Sequence, residues 1–104
     1  MSTITKRTHQ RYPCNFLVRI TTASGEFDGT AINIGLGGML AESNQPLVFG
    51  SEVNLSFRLP EMTFDTEVNS YVRWNKENAF GLQFGSLRAK DVWGLNQFFE
   101  KMDE

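Results

Sequence analysis

Two short stretches of the chain carry residue types able to do recognition chemistry. In "KRTHQR", Lys6 to Arg11, the guanidiniums of Arg7 and Arg11 stand four residues apart. Each offers a planar fork of donors that matches a phosphate, or the O6/N7 edge of guanine, bidentately, and each can stack on a base. The same R-x-x-x-R spacing is common in solvated basic termini, and on the pattern alone solvation accounts for it. In "NIGLGG", Asn33 to Gly38, three glycines interrupt a run that otherwise reads as β-structure. Asn33 has both a donor and an acceptor for a base edge. Gly35, Gly37 and Gly38 remove side chains, so that backbone N–H groups can approach an anion and positive φ is permitted. A tight turn between strands would use glycines in the same way.

Catalytic constellations are harder to find. Asp65 and Glu67 share a strand face at i, i+2, within reach of each other, but the solvated outer face of a strand explains them. His9 lies in a polar basic segment with no identifiable partner. The single cysteine, Cys14, and the single histidine supply neither an internal disulfide nor a metal site of the usual kind. The chain is therefore read as a binding protein and not an enzyme, with no cofactor.

Positioning these residues requires a scaffold, and the apolar pattern supplies one. Residues 1–14 are expected to form a basic, flexible arm carrying R-x-x-x-R, with 15–104 forming a single domain. "NFLVRIT" from Asn15 alternates Phe16, Val18 and Ile20 against polar neighbours, which predicts a first strand. "ASG" turns the chain and Glu26 to Asn33 pairs back. "MLAES", "EVNLSFRLP", "MTFDTEVNSYVRW" and "AFGLQF" predict four more strands, the last two joined by the polar turn Asn75 to Asn78. Trp74 shares its parity with Phe64, Val68 and Val72, which places it in the core. From Ser86, a candidate N-cap, Val92, Leu95, Phe99 and Met102 recur at three and four, predicting a helix over about 87–102. Gly94 should weaken that helix by roughly 1 kcal/mol relative to Ala. The expectation is a mainly β fold: a six-stranded antiparallel, closed or nearly closed (split) barrel, with the C-terminal helix packed on it.

Composition sets further bounds. The 104 residues suit one hydrophobic core, with 40% apolar residues and nine Phe. No apolar run approaches the ~20 residues that span a bilayer, so a cytoplasmic protein without membrane insertion is expected. The net charge of −2 argues against general nucleic-acid binding. The charge is nevertheless segregated: Lys6, Arg7, Arg11 and Arg19 precede every carboxylate, the first of which is Glu26. An anion at the N-terminal segment would meet a locally positive field.

Taken in order, Arg7-x-x-x-Arg11, then Asn33-x-Gly35-x-x-Gly38 at the end of the second strand, then a barrel and a closing helix, the chain resembles the PilZ domain. "YVRW" (Tyr71 to Trp74), the polar turn and "FGLQF" (Phe80 to Phe84) look like the paired strands before that family's last helix. The resemblance spans almost the whole chain and implies a stand-alone module. PilZ domains are bacterial receptors for cyclic di-GMP, recognised by R-x-x-x-R and [D/N]-x-S-x-x-G. The resemblance implies that Arg7 and Arg11 hold guanine and phosphate, that Asn33 hydrogen-bonds a guanine, and that Gly38 keeps the strand exit open. Lys6, just before the motif, would influence whether one nucleotide or a stacked pair binds. Gly37 and Trp74 are further candidate contacts, Trp74 by packing on a guanine. Position 35 would touch the ligand where the family usually has serine. Losing that hydroxyl would cost about 1.5–3 kcal/mol, ten- to a hundredfold in affinity, so Gly35→Ser is expected to tighten binding. The implied partners are cyclic di-GMP and a bacterial effector protein in motility, biofilm or secretion control, with the chain a monomer or a ligand-sensitive homodimer. The alternative implied is a degenerate PilZ domain that acts as a protein-interaction module.

Overall fold

Strict alternation commits these segments to strands with one face buried, and six of them can hide that face only by curling around it. The computed structural model, which describes residues 10–103, shows this arrangement. Strands β1 (Tyr12–Thr22), β2 (Gly25–Ile34), β3 (Gly38–Glu42), β4 (Glu52–Phe57), β5 (Thr66–Lys76) and β6 (Ala79–Phe84) are followed by helix α1 (Ala89–Met102). Every pairing is antiparallel, and the order β1-β2-β3-β6-β5-β4 closes where Val18 meets Phe57 and Thr21 meets Asn54. The expected six-stranded barrel with a C-terminal helix is thus observed. Val18, Ile20, Leu55, Val72, Phe80 and Leu82 fill its interior.

One end of the barrel is sealed by aromatic rings from both termini of the fold. Phe16 packs against Phe57 (ring centroids 5.6 Å apart) and edge-on against Phe98 of α1 (6.4 Å), while Tyr12 stacks on Phe99 at 4.5 Å. The Tyr12 hydroxyl also donates to Asp103 Oδ2 at 3.1 Å. Desolvation, aided by that carboxylate, raises the Tyr12 phenol above its ordinary pKa. These contacts explain why β1 begins at Tyr12 and not at Asn15: Tyr12, Pro13 and Cys14, expected in the arm, belong to the barrel. Pro13 is accommodated because the β1–β2 ladder shifts register between Pro13 and Phe16.

Three boundaries differ from the sequence expectation for local reasons. Helix α1 starts at Ala89 with Arg88, not Ser86, at the cap. Asp91, fully buried, accepts from the Arg88 backbone N–H at 3.2 Å and from its guanidinium at 2.7 and 2.8 Å, satisfying a carboxylate that a hydroxyl cap would have left bare. Strand β5 starts at Thr66, so Asp65 precedes it and pairs with Arg58 at 2.9 Å, leaving no Asp65–Glu67 couple on one strand. The β5–β6 turn is two residues, Glu77 and Asn78, with Glu77 at φ 58°.

The segment before β5 lies over the helix. A Cβ at Gly94 would sit 3.4 Å from Phe64 Cζ, 3.6 Å from Met62 Sδ and 3.7 Å from Leu59 Cδ1, ordinary contact distances with no overlap. Gly94→Ala is therefore expected to raise stability by about 1 kcal/mol through helix propensity. A urea midpoint that falls, at unchanged slope, would contradict this packing.

Candidate functional site

The candidate residues converge because the sheet is irregular along one line. Pro13 pairs with Asn33, Asn33 with Leu40, Leu40 with Gly81 and Gly81 with Trp74, a single row crossing β1, β2, β3, β6 and β5. Each of the three register shifts in the barrel adjoins this row: between Pro13 and Phe16, between Ala31 and Asn33, and between Val72 and Trp74. An extra residue turns the following side chain to the other face. Ala31 and Ile34 are both buried, three apart instead of two or four, so Asn33 escapes the interior. Likewise Val72 is buried while Trp74 is 47% exposed. The sequence parity that placed Trp74 in the core is overturned by the bulge at Arg73. The indole lies instead over Gly81, where an added Cβ would fall within 2.6 Å of three of its ring atoms.

Arg11 reaches the same place from the other side. Its Nη1 donates to Asn33 Oδ1 at 2.9 Å, joining the two motif residues across 22 positions of sequence. A groove of about 430 Å³ opens beside them, lined by Arg11, Gly35, Gly37, Arg73, Trp74 and Gln83 among others. A second groove of about 490 Å³, between the 22–27 turn and the 45–52 loop, contains Glu26 and Glu52 and no arginine, which disfavours an anion there. Arg7 and Lys6, expected beside Arg11, lie outside the described residues, as does His9.

The glycines serve close approach. None of Gly35, Gly37 and Gly38 has positive φ; among the described glycines only Gly25 and Gly50 do. At Gly35 a Cβ would stand 2.6 Å from the Gln10 carbonyl oxygen and 3.1 Å from Arg11 Cδ, so the chain leading into Arg11 rests directly on the turn. At Gly38 a Cβ would stand 2.2 Å from the Leu82 carbonyl oxygen, where β3 pairs with β6. Gly37 has open space around it, and its carbonyl accepts from Phe84 N at 2.8 Å. Gly35 N donates to the Gly38 carbonyl at 2.9 Å, so that N–H is already engaged within the turn.

Burial pushes the Cys14 thiol up to about 11, away from the thiolate that a nucleophile needs. Among the described residues no group of three or more His, Cys, Asp or Glu is placed to hold a metal ion, and no helix is long and apolar enough to cross a membrane.

Comparison with known proteins matches this arrangement to one family. The family model described as PilZ domain covers residues 5–101. The chain belongs to the PilZ domain family. Solved structures that share its fold include the following two. One is the Bacillus subtilis inhibitor of motility (MotI/DgrA), at TM-score 0.71 and 24% identity over 88% of this chain and 48% of that one. This PilZ domain therefore spans about half the length of that protein. The other is the PilZ domain of CeSA from a cellulose-synthesizing bacterium, at TM-score 0.70 and 12% identity, covering 91% of this chain and 99% of that one. No curated protein sequence matches the chain.

The crowding at position 35 changes what a serine would do in this PilZ domain. Its Cβ must displace the Gln10–Arg11 backbone before its hydroxyl can reach a ligand. Gly35→Ser is expected to shift the NMR signals of the Arg11 Nε–H and the Asn33 side-chain amide, whereas Gly37→Ser, in open space, leaves them in place. Equal response to both substitutions would show that Gln10 does not bear on Gly35.

Proposed function

We propose that this PilZ domain is a cyclic di-GMP receptor that acts as an adaptor, by binding and not by catalysis. The observation that carries the reading is the Arg11–Asn33 hydrogen bond beside the exposed face of Trp74. A guanidinium, an amide and an indole plane on one groove are the groups that a guanine flanked by phosphates requires: edge donors and acceptors, a stacking face and a cation. Arg7, four residues before Arg11, would add a second fork, and Lys6 a further charge. Gly35, Gly37 and Gly38 would let the ligand approach the backbone.

The Arg11–Asn33 contact supports a mechanism of partner exchange. Arg11 is held by its own neutral partner, and that bond is largely exposed, so a phosphate or guanine, which can offer charge or a bidentate edge, can replace it. Binding would draw the basic N-terminal segment onto the turn and change the surface beside the barrel. A bacterial effector protein would read that surface, in the cytoplasm where a soluble second messenger acts. Regulation of motility, biofilm formation or secretion suits the family, and one fold neighbour is named an inhibitor of motility.

Gly35 favours a second reading. With its Cβ space taken by Gln10, the turn lacks the family's usual hydroxyl, as expected of a PilZ domain that has lost its nucleotide and binds protein alone.

Titration calorimetry separates the two. Wild type is expected to bind cyclic di-GMP with Kd below ~100 μM, and Arg11→Ala to weaken it at least about tenfold, the loss of one charge-assisted contact. No heat at millimolar nucleotide, with the fold intact by circular dichroism, overturns the receptor reading and leaves the protein-binding one.

A further inference from the structure

We infer that Arg73 is a second arginine clamp for the anionic ligand, facing Arg11 across the groove; the inference rests on the receptor reading above. The starting observation is how the arginines are partnered. Arg19 pairs with Glu26 at 3.5 Å and Asp28 at 3.3 Å, Arg58 with Asp65 at 2.9 Å, and Arg88 with Asp91 at 2.7 Å. Among the described residues, Arg11 and Arg73 are the arginines that form no such ion pair. Each donates instead to a neutral side-chain amide, Arg11 to Asn33 and Arg73 through Nε to Gln83 Oε1. Both line the same groove.

This is an unusual disposition of charge. The protein has net charge −2 and carboxylates enough to satisfy its other described arginines, yet leaves two guanidiniums uncompensated on one concavity. A neutral acceptor orients a guanidinium without cancelling its charge, and an incoming phosphate displaces it at little cost. Arg11 precedes β1 and Arg73 sits on β5, with β2, β3 and β6 between them, so an anion in the groove is approached from two sides.

The bulge explains why Arg73 can serve. It is the residue inserted between Val72 and Trp74, and the insertion leaves Arg73 and Trp74 both open to the outer face. A regular strand would have buried the indole and separated cation from ring plane. The Arg73 guanidinium also lies 5.9 Å from the centre of the Tyr71 ring, a cation–π contact that holds it on the outer face of β5. A guanine stacked on Trp74 would thus present its phosphate or its O6/N7 edge to Arg73.

The test is titration calorimetry with cyclic di-GMP on wild type, Arg73→Ala, Arg73→Lys, Gln83→Glu and, as control, Arg19→Ala, each at two or more salt concentrations. Arg73→Ala is expected to lose at least about tenfold in affinity and to show a shallower salt dependence; Arg73→Lys should fall between, and Arg19→Ala should stay within twofold. Gln83→Glu retains the arginine but gives it a carboxylate partner, so it too should weaken binding, and it keeps the inference testable if Arg73→Ala fails to fold. Affinity within twofold of wild type for Arg73→Ala and Gln83→Glu overturns the clamp while the receptor reading stands. A loss in Arg73→Ala with an unchanged salt slope also overturns it, since a residue that merely props Trp74 removes no charge contact. No binding by wild type overturns the receptor reading and the clamp with it.

Discussion

Closure of the barrel is the constraint on which the other features depend. Six strands of five to eleven residues must bend sharply to meet, and antiparallel ladders bend where one strand carries an extra residue. Here the extra residues gather along the row from Pro13 to Trp74, so the irregularity of the ladder and the reversal of side-chain parity occur in one place. Had Asn33 followed the alternation of Gly29 and Ala31, its amide would face the apolar interior with few partners, a cost of a few kcal/mol. Turned outward, it meets Arg11. The groove is a by-product of how the sheet curves.

The second support is the seal between β1 and α1. Tyr12 stacked on Phe99, and Phe16 lodged between Phe57 and Phe98, fix the first strand at its root, one residue from Arg11. Arg11 therefore departs from a rigid point, and the Gln10 carbonyl comes to rest on Gly35. The buried Asp91, satisfied by Arg88, anchors the far end of the same helix. Position and direction at the groove thus descend from packing and polar satisfaction elsewhere.

Much of this was legible in the sequence. The strand alternation of Val53, Leu55 and Phe57 and the three-four spacing of α1 depend only on which residues are apolar, and the barrel followed from them. What could not be read was the register. A bulge changes pairing without changing composition, so "YVRW" reads as a regular strand with Trp74 inward, although Gly81 opposite it offered a signal: a glycine in a strand marks close approach. The Arg73–Gln83 contact was hidden for the same reason, since it is set by pairing. Asn33 and Gly35 stood out because their types are scarce in strands, and Arg11 through its spacing from Arg7, but the crowding at Gly35 was hidden, as it answers to a carbonyl 25 positions earlier. The cap at Arg88 was masked by Ser86, a better N-cap by type that lacks a partner at the right spacing.

The hydrogen bond from Tyr12 to Asp103 joins residues 91 positions apart. A polypeptide that enters the domain before Tyr12 and leaves after Asp103 does so through a single doorway. Such a module can be spliced into a longer chain as though it were a loop, without separating whatever stands on either side. The doorway adjoins Gln10 and Arg11 at the rim of the groove. Whatever is joined at either end is therefore held beside that rim, on one side of the barrel.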